Sequence, residues 1–119
     1  MGVITKRGLI AQTVRQLRLQ GATSLHVASL PGYVEPDFVA DHLPDVTGFA
    51  GSRIIVAQAE LATDLDLPNS VERLRAFCDH IRCFDGIVIL ATEKVAEVNA
   101  RRLVQSVATH AEDCFVWAY

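Results

Sequence analysis

The sequence predicts an α/β fold. It reads as one domain over residues 1–119, with a mixed sheet flanked by helices in the order αβββαβαβ: a three-strand meander, then parallel crossover strands. Three observations predict it. Residues Pro44 to Glu60, PDVTGFAGSRIIVAQAE, read as two short strands around an Ala50-Gly51-Ser52 break, with β-branched Ile54, Ile55 and Val56 favouring extended backbone. On both sides of this hairpin, apolar residues recur at three- and four-residue spacing, the period of helices with one buried face. After it, apolar runs alternate with such helices, and those crossovers imply parallel, right-handed connections.

Each element has its local reason. Thr5 caps a helix that runs to about Gln20; Leu9, Ile10, Val14 and Leu17 form its stripe, and Gly21 stops it. Lys6, Arg7, Arg15 and Arg18 fall on its outer arc. Ser24 to Leu30 is a strand, broken by Pro31-Gly32. Residues 31–43 form a long loop, or a loop with a short helical turn after Pro36, and the hairpin follows. A second loop, Leu61 to Pro68, carries Asp64 and Asp66. Asn69-Ser70 then opens a helix from Ser70 to about Arg82, with Val71, Leu74, Phe77 and Cys78 on one face. Asp85-Gly86 turns into the apolar strand Ile87–Leu90. Thr92 is expected to cap the last helix, striped by Val95, Val98, Leu103 and Val107, and Cys114 to Tyr119 closes as a strand.

Composition narrows the function classes. Half the residues are hydrophobic and 21% charged, a globular balance. A net charge of −3 leaves no whole-chain footprint for nucleic acid. No apolar stretch is long enough to span a bilayer, and Lys6 stands where a myristoylation signal after Met1-Gly2 needs Ser or Thr. Three irregularly spaced cysteines make no disulfide framework, so a reducing cytoplasmic location is expected. Glycine-rich phosphate loops are absent. Cys78, His80 and Cys83 lack the second Cys/His pair of a structural zinc site; Cys78 is expected in the core and His80 in water. His26 falls in a strand, and His110 at a helix end, where a cation suits the dipole. Trp117 and Tyr119 suggest core packing, a covered sheet edge or a dimer contact.

The hairpin also carries the candidate chemistry. Asp45 opens its first strand, and Gln58 and Glu60 end the second, two residues apart and therefore on one face. Pairing across the turn brings Asp45 opposite or close to that pair. Carboxylates at the end of a buried strand need a partner.

This pattern resembles the restriction-endonuclease-like nuclease superfamily. The likeness rests on the αβββαβ order, on Pro44-Asp45 before one strand, and on Gln58-Ala59-Glu60 ending the next, with VERLRAF on the helix that backs such sites. It covers roughly Ile10 to Leu90 in pattern. Members carry a proline-aspartate motif, then a strand ending in an acidic residue, a spacer and lysine. The resemblance implies that Asp45 is the metal-binding aspartate, with Gln58 in place of the second acidic ligand and Glu60 in place of the lysine. Ile10 to Gln20 holds none of the acidic residues often found on the family's first helix.

The chemistry implied is that of a metal-dependent nuclease. Mg²⁺ or Mn²⁺ takes hard oxygen ligands, which Asp45, Glu60 and the Gln58 amide oxygen supply, and the bound ion activates water against a phosphodiester. Asp45, Gln58 and Glu60 are thus the candidate catalytic residues, and Asp45 and Glu60 the candidate metal ligands. Lys94 and Arg53 are the candidate nearby cations, and His42 a candidate base. Arg15, Arg18 and Lys94 are candidate contacts to DNA phosphates. The plainer alternative is that Asp45 caps a strand after Pro44 while Glu60 leaves the sheet for solvent. Two functions follow: a nuclease-like protein acting on DNA, active or reduced to a binding role, or a non-catalytic interaction module that docks a partner or forms a homodimer through the 31–43 loop or last strand.

Overall fold

The computed structural model describes residues 4–108 and 111–119; Met1, Gly2 and His110 lie outside them. Gly51, at φ +63°, turns the chain between β2 (Val46–Ala50) and β3 (Arg53–Ala59), so Ala50 pairs with Arg53 and Val46 with Ala57. A positive φ at the first turn position matches the twist of the flanking strands, and glycine adopts it without strain. β1 (Thr23–Val27) pairs antiparallel with β2. It is shorter than expected because Ser24 bulges at φ +54° and Ser29 turns the chain at φ +65°. β4 (Gly86–Thr92) and β5 (Cys114–Ala118) add in parallel, giving a five-stranded sheet in the order β1-β2-β3-β4-β5 with β2 antiparallel to the rest.

Strand alternation sorts the core into two layers. Ile55, Ala57 and Ala59 of β3 and Ile89 and Ala91 of β4 face α1 (Lys6–Leu19), against Leu9, Ile10, Val14 and Leu17. Thr5 accepts the Gly8 amide at 3.0 Å and starts this helix as expected. On the other face, Val56, Val88 and Leu90 meet Leu74, Phe77 and Ile81 of α2 (Pro68–Ile81). α2 begins two residues earlier than expected because Pro68 is accepted in the first helical turn, where its missing N–H costs nothing. Trp117 and Tyr119 are partly buried against the α1 layer.

The last helix departs from the expectation. Thr92 does not cap it: it ends β4, and its buried hydroxyl donates to the Glu60 carbonyl at 2.7 Å. A 3₁₀ turn, Lys94–Ala96, comes next, and α3 spans Glu97–Val107. Tighter 3₁₀ winding shifts the helical phase. Ala96, Ala100 and Val104 therefore enter the core, with Leu103 and Val107 partly buried beside them, while Val95 stands 82% exposed and Val98 62%.

Gly48 lets β1 and β2 approach closely: a Cβ there would lie 2.6 Å from Leu25 Cδ2 and 3.1 Å from the Thr23 carbonyl oxygen. Leu25 can swing away, but the backbone oxygen cannot. Gly48→Ala should lower stability by about 1–3 kcal/mol, the cost of overpacking, measured as a lower urea midpoint at unchanged m-value. An unchanged midpoint would show that β1 gives way freely.

Candidate functional site

Asp45, Gln58 and Glu60 come together on the α2 side of the sheet, where β3 ends, and all three are buried. Alternation puts Gln58 and Glu60 on the face that Val56 shares. The backbone fixes Glu60 from the β4 side: its amide donates to the Ala91 carbonyl at 2.9 Å, and its carbonyl accepts from Thr92. Asp45 sits one residue before β2, where its Oδ2 accepts the Ala59 amide at 2.7 Å and stands in for a ladder carbonyl. It thus caps the strand edge, as the plainer alternative held. Glu60 does not leave for solvent.

The cation of the cluster comes from α2. Arg73 Nη2 lies 2.9 Å from Asp45 Oδ2 and 3.2 Å from Glu60 Oε2, and Nη1 donates to the Leu43 carbonyl at 3.0 Å. Gln58 Nε2 donates to Glu60 Oε2 at 2.7 Å and to the Ser70 carbonyl at 2.9 Å. Its Oε1, the atom expected to face a metal, has no hydrogen-bond partner and lies across the amide from Glu60. Lys6, in the first turn of α1, brings Nζ to 3.6 Å from Asp45 Oδ1.

Neither cation singled out in sequence reaches this place. Arg53 opens β3, ~20 Å from the strand's other end at 3.3 Å per residue, and pairs with Asp85 at 3.0 Å and Asp113 at 3.1 Å. Lys94 lies 3.4 Å from Glu97, whose carboxyl is held below the usual range by its hydrogen bond with Arg101 and by the Lys94 charge. Arg15 is exposed on α1, and Arg18 donates to the Tyr33 hydroxyl at 2.8 Å while lying over its ring. His42 lines a cleft with Glu60, and its ring meets Phe77 edge-on.

Arg73 and Lys6 are the residues that sequence reasoning missed, and both left a signal. A crossover helix that follows β3 must bring its first turns back over that strand's end. An arginine three residues after Ser70 flanks the buried stripe there. The helical spacing places Lys6 on the outer arc of α1, yet it is half-buried because the helix starts beside Asp45.

Two open clefts adjoin the cluster. One, of about 350 Å³, is bordered by His42, Glu60, Asn69 and Glu72; the other, of about 430 Å³, by Arg7, Ser29 and Asp45. Lys6 and Arg73 line both. Arg73 already occupies one side of this donor set: Asp45 Oδ2 and Glu60 Oε2 each accept two hydrogen bonds, one of them from Arg73, and among the described residues no group of three His, Cys, Asp or Glu side chains is placed to hold a metal.

Comparison with known proteins yields no family model, no curated protein and no solved structure that matches this chain. No helix among the described residues is long and apolar enough to cross a membrane.

Removing Arg73 leaves two carboxylates buried side by side. Arg73→Ala should cost about 3–5 kcal/mol, the usual consequence of stranding a buried charge, by urea denaturation. Adding Glu60→Gln to that variant should recover part of the loss, since it removes one of the stranded charges. A loss below about 1 kcal/mol would mean that the ion pairs behave as solvent-screened surface pairs.

Proposed function

We propose that this chain is a nuclease-like domain that holds the phosphodiester backbone of DNA without cutting it. The observation that carries the reading is Arg73, whose guanidinium bridges Asp45 and Glu60 where the resemblance puts a metal ion. The element order and the meeting of Asp45, Gln58 and Glu60 at the hairpin's end support the nuclease-like half. The guanidinium held by Asp45 Oδ2 and Glu60 Oε2, each of which also accepts a second hydrogen bond, supports the non-cutting half, and Mg²⁺ or Mn²⁺ has no role in it.

The clefts suit a phosphate for electrostatic reasons. Arg73 and Lys6 offset the charges of Asp45 and Glu60, which would otherwise repel an anion. Lys6 and Arg7 offer ammonium and guanidinium groups from one side. From the other, α2 has no side-chain cap at its N-terminus, and Asn69 and Ser70 of its first turn line the cleft. Amides and dipole at that end favour an anion.

A second reading, the non-catalytic interaction module, has its own observation. Val34 and Phe38 stand 67% and 72% exposed on the 31–43 loop, and Phe115 is exposed on the edge strand β5. Exposed apolar groups of this kind mark contacts to other proteins.

Fluorescence anisotropy with a labelled DNA duplex at low salt separates the two. The proposal predicts binding that persists in EDTA, weakens steeply as salt rises, and falls roughly fivefold in Lys6→Ala or Arg7→Ala. Arg102→Ala, on the exposed side of α3, serves as the control. No low-salt binding by the wild type would rule out the DNA reading and leave the interaction module.

A further inference from the structure

Cys78 on α2 and Cys114 at the start of β5 are 36 residues apart in sequence, yet their sulfurs lie 3.3 Å apart. Both side chains are buried in the layer between the helices and the sheet. Cys114 also borders a surface groove of about 370 Å³, rimmed by Arg101, Gln105 and Trp117. A buried thiol of the core is ordinarily inert. Here two sulfurs touch, and one of the two residues lines a groove open to solvent.

We propose that Cys78 and Cys114 are a reversible dithiol–disulfide pair, oxidised by a small-molecule disulfide that enters through this groove. A disulfide needs its sulfurs at about 2.05 Å, so they must close from 3.3 Å by side-chain rotation. Cys114 attacks first. The hydrogen bond from Cys78 lowers its pKa below that of an ordinary thiol, against the opposing effects of burial and of Asp113 and Glu112. The same hydrogen bond, together with burial, raises that of Cys78, which keeps its proton until the second step.

The exchange balances. The Cys114 thiolate attacks one sulfur of the small disulfide, whose S–S bond breaks and releases one thiolate. Cys78 then loses its proton to solvent, and its sulfur attacks Cys114 Sγ and expels the second thiolate. Two protein thiols give up two electrons and two protons, and the small disulfide takes them up as two thiols. Run in reverse with a small dithiol, the sequence restores both cysteines.

Cys83 is exposed and would react on its own account, so the test uses Cys83→Ser alongside the wild type. The protein is incubated with glutathione disulfide, quenched in acid, alkylated in denaturant and mapped by mass spectrometry. The proposal predicts a Cys83→Ser monomer lighter by two hydrogens, a linked Cys78–Cys114 peptide in both proteins, and recovery of both thiols with dithiothreitol. The closed loop should raise the Tm by roughly 10 °C. Cys78→Ser should stop at a glutathione adduct on Cys114. Two alkylated thiols after prolonged oxidation of Cys83→Ser, or an adduct on Cys114 that persists with Cys78 free, would overturn the proposal.

Discussion

Two carboxylates drawn out of water beside each other repel and lose their hydration, and a cation must stand between them for the fold to tolerate it. Arg73 meets that need for Asp45 and Glu60. Its planar fork also reaches the Leu43 carbonyl, so one side chain ties α2 to the hairpin and to the end of the 31–43 loop. Lysine has a single charged centre and would satisfy fewer of these acceptors. Gln58 completes the arrangement by donating both to Glu60 and to the first turn of α2.

The sheet dictates where this cluster stands. Because side chains alternate along β3, Gln58 and Glu60 can only face α2 once Val56 does. The parallel pairing of β3 with β4 then holds Glu60 by its own backbone, and Asp45 holds Ala59 across the hairpin. The carboxylates are thus clamped by hydrogen bonds before any ligand arrives. Such preorganisation suits a fixed cation on a helix better than an ion that must choose its own geometry. The same helix carries Cys78 five residues beyond Arg73, so the dithiol and the charged cluster share one rigid support.

Much of the fold was legible in the sequence because its signals are local. Thr5, Gly51 and the β-branched run Ile54 to Val56 each act within a few residues, and those elements stand where expected. The misreadings arise where tertiary contacts override a local cue. Thr92 looks like a cap, but its hydroxyl serves Glu60 instead, and the 3₁₀ turn after it rotates the stripe of α3 onto alanines. At the site, the three residues of the motif were found through strand alternation, whereas Arg73 and Lys6 come from other elements and are joined only by packing. The meeting of Cys78 with Cys114 escaped notice for the same reason: nothing in their spacing announces that α2 and β5 meet.

The claim on which the account turns is that Arg73, rather than a metal ion, is the cation of the Asp45–Glu60 cluster. Calorimetric titration of Mn²⁺ into the wild-type protein at neutral pH tests it most directly. The account predicts no saturable heat at sub-millimolar Mn²⁺. Stoichiometric binding that disappears in Asp45→Ala would contradict it, and would mean that the guanidinium yields its place to a metal.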